Sequence, residues 1–115
     1  MNNTNGIYLS SSSNNTIYNN IFNNNNNFDF QENNDNTWNT KKQSGTNIIG
    51  GPILGGNFWG YPNGTGFSQT CKDMNGNGIC EKRYILDENN IDYLPLYQDF
   101  IPLWRVDVTL AIERF

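Results

Sequence analysis

No histidine occurs in this chain, only two cysteines, and no apolar run approaches the roughly 18 residues that a membrane-crossing helix needs. The missing run excludes an encoded transmembrane helix. The first residues, Met1-Asn2-Asn3-Thr4-Asn5, lack the charged and apolar regions of a signal peptide. Charge is scarce as well: seven Lys and Arg face eleven Asp and Glu, a net of −4. Without a basic patch, nucleic acid is not an expected partner. Two Cys without any His do not make a zinc site, which takes four N or S ligands. A disulfide between Cys71 and Cys80 is the simpler assignment and implies an oxidising compartment. Two free buried thiols in a cytosolic protein are the alternative.

What the chain has in excess is Asn, about a fifth of its 115 residues. Asn15-Thr16-Ile17 returns 21 residues later as Asn36-Thr37-Trp38, and after the same step as Asn57-Phe58-Trp59. Ile7, Phe28 and Ile49 follow that step, as do Leu9 and Phe30. A shared period too long for a helix is the mark of a solenoid. A unit with Asn at the corners and short β-branched or aromatic triplets between them fits one coil of a parallel β-helix, with equivalent residues stacked about 4.8 Å apart. A long Asn tract also fits low-complexity disorder, but Ile7, Leu9, Ile17, Phe22, Phe28 and Phe30 interrupt it in a register that disorder does not need. Asn suits the corners because it tolerates the left-handed backbone and its amide bonds to the amide one coil away.

The expectation is therefore one compact all-β domain in three parts. Residues 1–59 hold about three 21-residue coils, residues 60–96 a loop-rich cap, and residues 97–115 a strand-forming tail. Ile7, Phe28 and Ile49 should share one interior column and Ile17, Trp38 and Trp59 another, with Asn15, Asn36 and Asn57 at one corner. The third coil departs from the pattern, with Gly51 following Leu9 and Phe30 and Gly55-Gly56 before Asn57, as if the solenoid closes there. In the tail, Val106, Val108, Leu110 and Ile112 alternate with polar or small residues. A half-buried strand of this kind lies on the flank of its own solenoid or on a second copy of the chain.

One segment of the cap carries definite chemistry: Cys71-Lys72-Asp73-Met74-Asn75-Gly76-Asn77-Gly78-Ile79-Cys80-Glu81. Oxygen side chains at the first, third and fifth positions from Asp73, Gly at the sixth, a backbone carbonyl at the seventh and an acid at the ninth follow the spacing of a calcium loop. Asp73, Asn75, Asn77, the Ile79 carbonyl and Glu81 would supply five or six oxygens to Ca²⁺. Tyr84 stands where an EF-hand has its bidentate Glu, so another acid must close the shell, and Asp92 is favoured over Asp87 and Glu88. The alternative is an Asn-Gly turn that binds nothing.

These residues resemble a family. The repeats with Asn-x-Ile corners, Gly55-Gly56-Asn57-Phe58-Trp59-Gly60, Asp73-Met74-Asn75-Gly76-Asn77-Gly78-Ile79 and Asn89-Asn90-Ile91-Asp92-Tyr93-Leu94-Pro95-Leu96 together resemble the C-terminal end of NosD-type β-helix proteins. The resemblance spans about residues 6–96. It implies a right-handed helix and kinship with the wider group of carbohydrate-binding proteins and sugar hydrolases, which abound on archaeal cell surfaces. Such families usually carry Asp where this chain has Asn75 and Asn77, which lowers the charge of the loop. NosD itself is a periplasmic accessory in copper-site assembly, yet this chain offers copper no His, two distant Met and two Cys already assigned to each other.

Three functions compete. The first is a non-catalytic secreted or cell-surface module, the calcium-stapled cap of a longer β-helix protein. The second is a polysaccharide-binding module with Trp59 or Tyr61, or else Trp38 or Tyr18, presenting a flat face to a sugar, although core stacking of Trp38 and Trp59 is preferred. The third is a fragment of a polysaccharide-active enzyme whose catalytic residues lie outside this chain. Asp29 and Glu32 are better read as solvated turn acids than as a catalytic pair. Three sequons, at Asn2, Asn14 and Asn63, and the Asn-, Ser- and Gly-rich composition favour an extracellular setting, though sequons arise by chance in so Asn-rich a chain.

Overall fold

The computed structural model describes residues 6–11, 13–31, 35–74 and 76–98. Asn75, Glu32, the sequon at Asn2 and the alternating tail from Val106 to Ile112 lie outside the described residues. Among the described residues the fold is all-β apart from one four-residue helix. Its strands are β1 (Ile7–Leu9), β2 (Ile21–Asn23), β3 (Phe28–Phe30), β4 (Asn36–Thr37), β5 (Gln43–Ser44), β6 (Ile53–Leu54), β7 (Phe58–Gly60), β8 (Tyr84–Asp87) and β9 (Asn90–Asp92), with α1 (Phe67–Thr70) between β7 and β8.

The 21-residue period is a real register where it joins the first two repeats. β1 and β3 pair in parallel with Ile7 opposite Phe28 and Leu9 opposite Phe30, and Thr16 bridges Thr37 in the same sense. Asn15 donates from both its backbone N and its Nδ2 to Asn36 Oδ1, at 3.1 and 2.9 Å. Asn14 and Asn19 sit at φ 63° and 60°, in the left-handed region that Asn tolerates. In Asn14-Asn15 and Asn19-Asn20 the first residue turns the chain and the second reaches a neighbouring strand.

The third repeat is not where residue counting puts it. β7 pairs in parallel with β2, Ile21 opposite Phe58 and Phe22 opposite Trp59, and Asn57 Oδ1 accepts both N–H groups of Asn20 at 3.1 Å across 37 residues. Asn57 therefore stacks on Asn20, not on Asn36. The longer step arises because β5 and β6 form an antiparallel hairpin between the two positions. The place expected below Asn36 is taken by Asn90, since β4 pairs in parallel with β9. β8 closes that sheet from the other side, antiparallel to β9. Segment 60–96 thus supplies a strand that continues the repeat region as well as loops.

Two buried clusters result. Phe22, Trp38 and Trp59 form one, flanked by Ile7, Leu9, Ile17, Phe28 and Phe30, with the Phe22 and Trp59 rings stacked at 4.7 Å and the Trp38 and Trp59 rings tilted at 5.7 Å. Ile17, Trp38 and Trp59 do meet in this cluster. Ile49 does not join Ile7 and Phe28: it lies with Phe58, Ile79 and Leu96 in the other cluster, carried there by the hairpin insertion.

Candidate functional site

The cap loop is closed as expected, with Cys71 and Cys80 joined in a disulfide. Inside the ring Asp73 is the organising acceptor: Oδ1 receives the Asn77 N–H at 3.2 Å and Oδ2 the Gly78 N–H at 2.7 Å. Asn77 Oδ1 in turn receives the Ile79 N–H at 3.0 Å. Gly76 and Gly78 take φ of 73° and 84°, the left-handed values that let so short a loop wind around its own carboxylate. The outer strand of the ring is tied by Glu81 N to the Lys72 carbonyl at 2.7 Å. The Glu81 side chain is exposed. An ionised carboxylate has more lone pairs than these two bonds use.

The acid expected to close that shell is elsewhere. Among the described residues no three His, Cys, Asp or Glu side chains converge as a metal site, so Asp73, Glu81 and Asp92 do not come together. Asp92 is 0% exposed. Its Oδ2 accepts the Asn57 N–H and the Trp59 indole N–H, both at 2.8 Å, and its Oδ1 accepts the Leu94 N–H at 3.0 Å. Burial pushes this carboxyl up from 3.8 to about 6, against the pull of those N–H donors.

Two positions earlier on β9, Asn90 Oδ1 accepts the Trp38 indole N–H at 2.9 Å. One short strand therefore offers an acceptor to each of the two buried Trp. The signal was in the sequence: two interior indoles need two acceptors, and Asn90-x-Asp92 places two polar side chains on one face of a strand. Asn57 completes the junction, donating Nδ2 to the Ile17 and Trp38 carbonyls at 3.0 and 2.9 Å.

Of the residues considered for sugar stacking, Trp59 is 1% exposed and belongs to the core, and Trp38 is 0% exposed. Tyr61 is half-buried and held through its backbone by Gln69. Missed from sequence were Gln69 and Ser68 of α1. Gln69 Oε1 accepts from Gly66 N and Tyr61 N, and Ser68 Oγ accepts from Trp59 N at 2.8 Å. No periodic pattern marks a single helical turn.

The profile of one family, Periplasmic copper-binding protein (NosD), matches residues 1–64. No curated protein and no solved structure matches the chain. The copper of that description does not fit the residues here. The chain has no His, its two Cys are joined to each other, and Met74 is 79% exposed with no described cluster of ligands beside it. A disulfide and a periplasmic family both belong to an oxidising setting outside the cytoplasm. What the match covers is the paired repeats from β1 to β7, more than half of the 115 residues, and on that basis the chain belongs to the NosD family.

Proposed function

We propose that this chain is a non-catalytic, extracellular β-helix module: the end coils of a right-handed parallel β-helix, closed by a disulfide-ringed cap that Ca²⁺ orders. The observation that carries this reading is the use made of the polar residues at the junction between repeats and cap. Asn57, Asn90 and Asp92 are buried and bonded inward, to indole N–H groups and backbone. Such residues hold one layer of structure to the next. The same layers are joined by parallel strand pairs and by two Asn-on-Asn contacts, which is how successive coils of a β-helix adhere. As the end of a solenoid, the cap covers strand edges that would otherwise invite pairing.

Calcium enters through Asp73, Asn77, the Ile79 carbonyl and Glu81, with Asn75 the remaining oxygen of the pattern. Two carboxylates and neutral amides favour a dissociation constant of about 10⁻⁴–10⁻³ M, the range of extracellular modules. Calcium at ten times that constant stabilises the fold by about 1–2 kcal/mol. The test is a melting curve with calcium and with chelator, on the wild type and on Asp73→Ala. The expected result is a higher midpoint with calcium in the wild type alone. An unmoved midpoint would reduce the loop to an Asn-Gly turn.

A second reading, polysaccharide binding, draws on a different surface from the one the sequence suggested. A shallow cleft of about 350 Å³ beside β4 and β9 is lined by Asp35, Asn39, Glu88, Asn89 and the 57% exposed Tyr93. An exposed ring among amides and carboxylates is the equipment of a sugar site. Glycan-array binding lost on Tyr93→Ala would favour it.

A further inference from the structure

Two sequons lie within the described residues, Asn14-Asn15-Thr16 and Asn63-Gly64-Thr65, and their conformations differ in a way that bears on modification. We propose that Asn63 is the N-glycosylated residue of this chain and that the first sugar of its glycan rests on the ring of Tyr61.

Tyr61-Pro62-Asn63-Gly64 is a tight turn, closed by Gly64 N to the Tyr61 carbonyl at 2.9 Å, with Pro at the second position and Gly at the fourth as such turns prefer. Gly64 has φ 86°, and nothing lies within 4 Å of where its Cβ would be, so the tip of the turn faces open space. Pro62, Asn63, Gly64 and Thr65 are all exposed. Asn63 Oδ1 accepts two hydrogen bonds, from Thr65 N at 3.1 Å and Thr65 Oγ1 at 2.7 Å. The carbonyl end of the amide is thereby fixed inward and the nitrogen that must be glycosylated is turned out, with no hydrogen bond of its own among the described residues.

Beside Asn63 lies a cleft of about 390 Å³ lined by Asn25, Tyr61, Pro62, Asn63 and Thr65. Its volume has room for one sugar ring, and its lining includes one aromatic residue and two amides. The Tyr61 backbone is fixed before any glycan arrives: Gln69 bonds its N and O at 2.9 and 3.2 Å. With the backbone held, less freedom is lost when a sugar packs on the ring.

Asn14 presents the opposite case. Its backbone N–H is held by the Asp35 carbonyl at 2.8 Å, and the residues after it are in the ladder: Thr37 N bonds to the Asn15 carbonyl, Ile17 N to the Thr37 carbonyl, each at 2.8 Å. Thr16 bridges Thr37, and no hydrogen bond joins it to the Asn14 amide. Asn14, Asn15 and Thr16 are exposed as well, so the two sites differ not in access but in backbone: a transferase would have to break these bonds to bend the Asn14 segment into the turn that Asn63 already holds.

The donor is a lipid-phosphate-linked oligosaccharide supplied by a membrane oligosaccharyltransferase. The sugar C1–O bond to phosphate breaks, its electron pair leaves with the lipid phosphate, the Asn63 Nδ2–C1 bond forms, and one amide proton passes to a base of the transferase. No oxidant or reductant is needed. The inference rests on the reading that the chain is exported.

The experiment is secretion of the full chain from a host that performs N-glycosylation, followed by intact-mass and glycopeptide mass spectrometry after glycan release in ¹⁸O water. Asn63 is expected to carry most of the glycan, several-fold more than Asn14, and Asn63→Gln to remove it. The glycosylated wild type is expected to melt a few degrees above the enzymatically deglycosylated protein. Tyr61→Leu, which keeps the bulk but not the aromatic face, should abolish that difference while its own circular dichroism stays native. A secreted, disulfide-bonded chain with Asn63 bare, or with Asn14 the better occupied, overturns the site without touching the export reading. A chain that is retained and reduced overturns export instead. Glycan at Asn63 with no change in midpoint overturns the Tyr61 contact.

Discussion

Asp92 is the residue whose replacement tests the structural account most sharply, because the direction of its effect reverses with the expected role. As a calcium ligand it would stabilise the cap only when ionised. As the buried acceptor seen here it strains against ionisation: its carboxyl rises from 3.8 to about 6 on folding, chiefly through burial. Below pH 3.8 folded and unfolded chains both hold the proton and the stabilisation relative to neutral pH is complete. Between about 4 and about 6 only the folded form holds it, so stability is lost as pH rises, and above about 6 the loss is finished. The difference amounts to about 3 kcal/mol at most. Asp92→Asn keeps the shape but offers one oxygen in place of two, leaving at least one of the donors Asn57 N, Trp59 Nε1 or Leu94 N facing an NH₂ group, at about 1–3 kcal/mol per orphaned donor. The variant should therefore be less stable than wild type at pH 4, and the gap should narrow toward pH 7. Urea unfolding of both proteins at four pH values in that range measures it, and taking the difference removes the other carboxylates, which titrate alike in each. A gap that widens with pH would refute the reasoning.

Three further outcomes follow from the packing. Trp38→Ala, removing a fully buried ring and its hydrogen bond to Asn90 Oδ1, should cost about 3–5 kcal/mol by chemical denaturation; a cost under about 1 kcal/mol would mean that the ring is not core. Gly56→Ala would drive a Cβ into the Asp92 carboxylate, so the soluble, folded yield should collapse, and a native melting curve for this variant would contradict the close approach of the two motifs. Replacing Cys71 and Cys80 together by Ser should lower stability by about 2–3 kcal/mol for a ring of this size, with no further drop on adding reductant.

How far the fold could be read in advance depends on what the repeat counts. Periodicity along a chain counts residues, whereas strand pairing counts only the residues that stay in register. The two agree from β1 to β3, where nothing is inserted, and there Ile7 meets Phe28 and Asn15 meets Asn36 as the spacing implies. They disagree once the β5–β6 hairpin is inserted, and Asn57 then meets Asn20. The disulfide was legible because two Cys without His have few uses. The burial of Asp92 was not, because a carboxylate near a calcium-like loop looks like a ligand until the indole it serves is in place.

A better local cue than the 21-residue step is the Asn doublet. Asn14-Asn15, Asn19-Asn20 and Asn89-Asn90 each precede a β-branched residue, Thr16, Ile21 and Ile91, and the second Asn of every doublet lies at a strand contact between layers: Asn15 with Asn36, Asn20 with Asn57, Asn90 with Asn36. The physical reason is a division of labour that one residue cannot perform. Turning the corner takes a left-handed backbone, as at Asn14 and Asn19, while reaching the next layer takes an extended residue whose amide points along the stack. At Asn57 no doublet exists. Gly56 precedes it, and Gly is required there because Asp92 occupies the space of a side chain. Gly55-Gly56-Asn57-Phe58-Trp59-Gly60 and Asp92-Tyr93-Leu94-Pro95-Leu96 are thus two halves of one contact: Gly56 admits the carboxylate, Asn57 N and Trp59 Nε1 bind it, and Leu96 N returns to the Asn57 carbonyl at 2.9 Å. Two motifs more than thirty residues apart in the chain must therefore change together or not at all.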